Sequence, residues 1–135
     1  MECDSKLTHF HPNWLNFNSD NYPARGGFDK ASEWLSPDFE GFWPQSAELI
    51  IGRDNFTAIN SYYPANGIWE FTIHSVVCDG ETVVTDVLIT DGVQKARAIT
   101  FHTVENGLIS KQQEFWPDPM EAQVWRAKWV RLVQD

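Results

Sequence analysis

Two side chains able to move a proton near neutral pH stand in neighbouring β-rich segments: His102 in QKARAITFHTV (94–104) and Glu114 in LISKQQEFW (108–116). A glutamate walled by Trp43, Phe56 and Trp116 loses hydration, which lifts its pKa from about 4.3 toward the range of a working acid or base. A histidine beside it, near pKa 6.5 when unperturbed, lowers the carboxylate's value by charge pairing while its own rises, so the titration belongs to the pair. Such a pair can abstract or donate a proton on a small apolar carbonyl or hydroxyl compound, in isomerisation, dehydration or cyclisation, and requires no cofactor. A plainer reading stands beside this one: Glu114 is a surface carboxylate, and His102 and His74 are hydrogen-bonded sheet histidines. His9-Phe10-His11 has ligand-like spacing with only Cys3 and Asp4 close by, so no metal site is expected. Gly-rich phosphate loops, a GxSxG elbow and Cys–His nucleophile pairs are absent from the sequence.

The elements that must position these residues differ between the two halves of the chain. In the first half, Asp29–Leu35 reads as a short capped helix stopped at Ser36-Pro37, and Asp54–Tyr63 as a second helix closed by Pro64 and Asn66-Gly67. A helix of about two turns is expected over Asn13–Asn18, and small strands over Phe39–Trp43 and 47–52. The second half holds four β segments, 68–78, 81–90, 94–104 and 108–116. Turns at Asp79-Gly80, Asp91-Gly92 and Glu105-Asn106-Gly107 are short enough to allow only antiparallel neighbours. WPDP (116–119) stops the last strand, and the tail EAQVWRAKWVRLVQD is read as a helix pinned on the sheet by Trp125 and Trp129.

Register decides which side chains meet. A three-residue loop at 105–107 pairs Val104 with Leu108, His102 with Ser110 and Thr100 with Gln112, placing Thr100, His102, Gln112, Glu114 and Trp116 on one face. A two-residue turn at Asn106-Gly107 puts Glu114 on the face opposite His102. Spacing alone leaves both turns open. A two-residue turn at Asp79-Gly80 sets His74 against Thr85 and adds Glu70, His74, Thr85 and Val87 to the same polar face. Trp69, Phe71, Ile73, Val84, Leu88, Ile99, Phe101 and Phe115 are left on the other. By hydrophobicity the second set is the core; the first lines a pocket only if the second forms a dimer interface.

The 135 residues suit a single domain over 1–135, and 42% hydrophobic with 14% aromatic content excludes disorder. The formal charge of -9 repels nucleic acid and anionic lipid, and no apolar run reaches membrane-spanning length. The opening residues lack the order of a signal peptide, Cys3 and Cys78 are read as reduced thiols, and a cytoplasmic location is expected.

DFEGFWP (38–44), GRDNFTAI (52–59), the turn before ETVVTDV (81–87), TVENGLI (103–109) and EFWPDPMEAQVWRAKWV (114–130) together resemble the SnoaL-like branch of the nuclear transport factor 2-like superfamily. The resemblance, strongest over 28–131, implies an α+β fold: short N-terminal helices packed on a strongly curved antiparallel sheet, a cone-shaped barrel. It also implies a homodimer through the outer sheet face and a pocket for a small apolar molecule lined by Trp43, Phe56, His74, Thr85, Val87, Thr100, Gln112 and Trp116. Because the family's turn is built around the glycine that is Gly107 here, the resemblance favours the three-residue loop at 105–107, which is the expected register. Members include ketosteroid isomerases, limonene epoxide hydrolase, scytalone dehydratase, polyketide cyclases and noncatalytic binding modules, so fold alone does not fix activity. The isomerases' general base falls at Trp43, which cannot take a proton, and their protonated oxyanion-hole aspartate aligns with Thr100. The acid that cyclases and the epoxide hydrolase carry in the last strand corresponds in type to Glu114. Two readings result: acid-base chemistry at Glu114 and His102 on a bound apolar molecule, or a noncatalytic binding or dimeric interaction module.

Overall fold

The period-two alternation from Glu70 onward dictates strands. The computed structural model, which describes residues 32–62, 64 and 66–133, forms them. β1 (Leu35–Trp43) and β2 (Glu48–Ile51) precede α1 (Arg53–Tyr62), and β3 (Glu70–Asp79), β4 (Thr82–Thr90), β5 (Lys95–Glu105) and β6 (Leu108–Phe115) follow. They build one six-stranded sheet in the order β2-β1-β6-β5-β4-β3. β3 to β6 run antiparallel in sequence, as the short turns require, whereas β1 joins β6 in parallel, so the sheet is mixed.

The helix expected to run into Leu35 gives way to a 3-10 turn, Ser32–Trp34, and Leu35 already lies in β1. Pro37 explains this: it biases Ser36 to extended backbone and cannot continue a helix. The extended chain instead buries Leu35 and Phe39 completely. α1 follows Gly52, whose positive φ of 86° turns the chain off β2. Its buried residue, Phe56, meets Phe39 edge to face at 5.7 Å, and the Arg53 Nε donates to the Leu35 carbonyl at 2.7 Å. Leu35, Phe39, Ile50, Phe56, Trp69, Val83, Val104 and Ile109 form the core on the inner face of the sheet.

Two β-bulges set which residues face that core. In β3, Ile73 pairs with Val87 and Ser75 with Asp86, leaving His74 as the extra residue. Thr85 is therefore opposed by Val76, not His74. The bulge also carries Phe71 and Ile73 to the inner face, with buried Trp69 before them, while Glu70 is exposed on the outer one. Strict alternation through His74, on which the expected face assignment rested, assigns these residues the wrong way round.

In β6 the turn is the two-residue kind: Glu105 pairs with Leu108 and Val104 with Ile109, and Asn106 and Gly107 have φ of 53° and 79°. The expected three-residue loop is not formed. Thr103 then pairs with Lys111, so Ser110 is bulged and the parity is restored: His102 faces Gln112 and Thr100 faces Glu114. His102 and Glu114 share the inner face because the turn and the bulge each shift the register by one.

At the sheet's other end, Asp91 ties the β4–β5 turn to the segment after α1. Its carboxylate accepts from the backbone nitrogens of Asn66, Val93 and Gln94 at 2.7, 2.9 and 2.6 Å. These bonds, Asn66 first, hold its carboxyl below the usual carboxylate range. Gly67 is required there, since a Cβ would lie 2.6 Å from the Asp91 carbonyl oxygen.

The tail departs from expectation. Val124–Trp129 is a 3-10 helix rather than an α-helix, and Trp125 and Trp129 are 72% and 69% exposed, so they do not pin it to the sheet. Pro117 and Pro119 rigidify its exit, and the chain leads it clear of its own sheet. Cys78 is disulfide-bonded rather than a thiol, because sequence separation carries no information on spatial distance, and the thiol argument for a reducing compartment falls with it. Cys3, His9, His11 and the helix expected over Asn13–Asn18 lie outside the described residues. No described helix is long and apolar enough to cross a membrane.

Candidate functional site

Residues of β1, of β3 to β6 and of α1 line an open cavity of about 1280 Å³. Trp43, Phe56, Trp69, Phe71, Thr100 and Glu114 contribute to its wall. Trp69 and Phe71 were assigned to the opposite face from the sequence, and the bulge at His74 is what brings them in.

Glu114 sits where three strands converge. Its Oε1 accepts from the indole nitrogens of Trp43 on β1, at 3.1 Å, and Trp116 just beyond β6, at 3.0 Å. Its Oε2 accepts from the Thr100 hydroxyl on β5 at 2.7 Å. Indole nitrogens only donate, so these contacts fix the carboxyl's orientation and favour its charged form. Burial acts against them and is the larger influence, so the carboxyl is held above its ordinary value. Gln45, in the turn after β1, accepts from the Trp116 backbone nitrogen at 2.5 Å and so positions the second indole. Nothing in the sequence pointed to Gln45, which lies 71 residues from its partner.

His102 lies one cross-strand row away and behaves differently. It is completely buried. The Gln112 amide nitrogen lies 3.1 Å from Nδ1 and the Thr85 hydroxyl 2.9 Å from Nε2. With Gln112 donating to Nδ1, the neutral ring carries its proton on Nε2 and donates it to Thr85. Burial pushes its pKa down to about 3, so the ring is uncharged at neutral pH. The expected competition between Glu114 and His102 therefore has no physical basis: among the described residues the carboxylate's donors are Trp43, Trp116 and Thr100, and a neutral imidazole sealed between two polar side chains offers no charge to pair.

Of the remaining expected site residues, Val87 is buried on the inner face and Gln112 and Thr85 serve His102. His74 is exposed at its bulge, near Asp86, and contributes to the wall of the same cavity as Glu114. On the outer face Asp86 is bound by Arg97, whose Nε and Nη2 reach its two oxygens at 2.8 and 2.5 Å and lower its pKa. Among the described residues no group of His, Cys, Asp or Glu side chains could hold a metal ion.

A family model described as a SnoaL-like domain matches residues 21–112. A Kribbella flavida protein provisionally named a ketosteroid isomerase superposes with a TM-score of 0.82 at 23% identity, over 99% of this chain and 93% of its own. An NTF-2 like protein of unknown function from Burkholderia xenovorans gives 0.73 at 25% identity, over 99% and 100%. A protein from a Jannaschia species provisionally named a SnoaL-like polyketide cyclase gives 0.63 at 18% identity, over 81% and 85%. No curated protein matches the chain.

Proposed function

The chain belongs to the SnoaL-like domain family, within the NTF2-like α+β cone fold, and on that footing we propose that it binds a small apolar molecule in the cone and moves a proton on it through Glu114. The observation that carries this reading is the carboxyl of Glu114: set in the aromatic wall of the cavity, oriented by Trp43, Trp116 and Thr100, and raised in pKa by burial. A carboxyl so placed changes protonation state nearer neutral pH than a solvated one, as a cofactor-independent isomerase, dehydratase or cyclase requires.

The resemblance supports the same residue from another direction. The position of the isomerases' base is Trp43 here, and its indole nitrogen points at Glu114. β1 and β6 are neighbours, Phe42 pairing with Gln113, so the acid stands one strand away from that position. His102 is a positioning residue in this proposal: its bonds to Thr85 and Gln112 hold β4, β5 and β6 in register behind the cavity wall.

One observation favours the noncatalytic reading. Among the described residues Glu114 is the single acid-base group at the centre of the constellation now that His102 is sealed, which suits binding as well as one-residue proton transfer. A screen of small apolar ketones and alcohols separates the two, read by thermal shift for binding and chromatography for conversion. Binding with conversion that Glu114→Gln abolishes supports the enzymatic reading. Binding that leaves every compound unchanged assigns the binding module, and no binding at all rejects the cavity as a site.

A further inference from the structure

Trp43, Phe56, Trp69, Phe71 and Trp116 share the cavity wall with the carboxyl of Glu114. An ionised carboxylate offers about four lone-pair sites. Among the described residues three of them are filled on Glu114: two on Oε1 by the indoles of Trp43 and Trp116, and one on Oε2 by the Thr100 hydroxyl. The remaining site is on Oε2. Because indole nitrogens only donate, the neutral acid must also carry its proton on Oε2, so one atom both holds the proton and meets a ligand's donor.

A positive charge is what the described surroundings of this carboxylate lack. None of its hydrogen-bond partners there is Lys, Arg or His. A buried carboxylate without a counter-charge is costly to ionise, and a cation brought into the cavity removes that cost. The basic side chains that reach the cavity stand elsewhere. Lys95 and Arg97 lie five and three residues along β5 from Thr100, roughly 16 and 10 Å at the rise of a strand, and Arg97 is engaged by Asp86. His74 is on β3, three strands from β6, and Asp118, beyond β6, adds an acid to the wall. Aromatic walls attract organic cations, and a chain with 19 acidic residues against 10 basic ones concentrates cations around itself.

We propose that the molecule bound in the cavity is a small tertiary amine in its ammonium form, whose single N–H donates to Glu114 Oε2 and whose alkyl arms lie against the aromatic wall. The inference rests on the reading of this cavity as the binding site and of Glu114 as its central group, and adds that the bound molecule is cationic. An alkylammonium, like that of lysine, titrates at about pH 10, so the ligand arrives protonated at neutral pH. Where Glu114 holds its own proton, docking displaces it: the O–H bond at Oε2 breaks, that proton leaves to water, and the ammonium N–H takes the vacated site. One vacant acceptor site matches one donor. A primary ammonium brings three N–H groups, two of which meet an apolar wall without an acceptor, and a quaternary one has no N–H to give.

Titration calorimetry on the full chain at neutral pH tests this with N,N-dimethylcyclohexylamine, cyclohexylamine and the neutral cyclohexyl methyl ketone. The tertiary amine binds at least about tenfold more tightly than either of the others. Glu114→Gln, which keeps the shape of the side chain, weakens the tertiary amine about hundredfold, a loss at least about tenfold greater than that of the ketone. Thermal unfolding confirms that the variant is folded. Binding of the ketone without the amine overturns the cationic ligand and leaves the neutral reading of the cavity standing, whereas no binding by any of the three overturns both. Amine binding that Glu114→Gln does not weaken overturns the role of Glu114 as counter-charge, and cyclohexylamine binding as tightly as the tertiary amine overturns the match to a single N–H.

Discussion

The Thr100–Glu114 and His102–Gln112 pairs occupy adjacent rows of the same β5–β6 ladder and point to the same side, yet they differ in almost every physical respect. Glu114 opens on a cavity and takes its hydrogen bonds from two indoles and a hydroxyl. His102 has no exposed surface and is flanked by Thr85 and Gln112. Burial acts on both, in each case against the charged form, and so drives the two pKa values in opposite directions: up for the acid, down for the base. An ionisable side chain on an inner face does not by itself meet open space; what separates the two is the cavity beside Glu114.

The largest expected effect breaks the comparison at its functional end. Glu114→Gln keeps the shape of the side chain and an oxygen that can accept from the indoles, and removes the group that titrates. In any reaction found by the compound screen it lowers kcat by about 10³-fold, the middle of the range for a lost general acid or base, with KM little changed. The His102→Asn variant, assayed as folded protein, retains kcat within a few-fold. A reversed pattern would reassign the chemistry to the imidazole.

At the structural end, His102→Ala leaves a cavity and strips partners from the buried Thr85 hydroxyl and Gln112 amide. Cavity and desolvation costs together amount to about 3–5 kcal/mol, measured by denaturant unfolding. Glu114→Ala, at the edge of a space already open, costs about 1–2 kcal/mol on the same measurement.

The pH dependence of stability sharpens the contrast further. Between pH about 3 and 6.5 the unfolded chain protonates His102 and the folded chain does not, so that residue makes stability rise with pH, by up to about 1.4 kcal/mol per unit. Glu114 does the reverse above 4.5: its folded state holds the proton more tightly than the unfolded state, and stability falls as pH rises toward its raised value. Asp86 and Asp91, both lowered, act below 3.8 and do not enter the window from 4.5 to 6.5. Glu114 therefore offsets part of the His102 slope in the wild type, and Glu114→Gln removes that offset, seen as a Tm that climbs more steeply with pH above 4.5 than the wild type's.

The sequence was legible where period and turn chemistry govern. Four long strands, the paired small strands before them and α1 follow from alternation, helical spacing and Gly or Pro stops. It was not legible where one extra residue decides. His74 and Ser110 carry no compositional mark of a bulge, yet the first moves Phe71 and Ile73 inward and the second keeps Glu114 beside His102's face. The tail's apolar spacing resembled a packed helix because periodicity reports that a side chain wants burial, not which surface supplies it. The Asp91 clasp and Gln45 were invisible for a related reason: each depends on backbone groups or side chains brought from distant segments.

The smallest expected effect isolates the bulge itself. Thr103 is faced by both Ser110 and Lys111, so deleting Ser110 joins Ile109, which pairs with Val104, directly to Lys111, which pairs with Thr103. The ladder then runs without interruption from the Asn106-Gly107 turn to Phe115, and Gln112 and Glu114 keep their partners and their face. Deletion of Ser110 therefore changes stability by no more than about 1 kcal/mol and leaves ligand binding and any Glu114-dependent turnover in place, although removing a strand residue ordinarily inverts every side chain beyond it. A deletion that abolishes both, in a protein that still folds, would show that the bulge sets the curvature of the cavity wall and not merely the parity of the ladder.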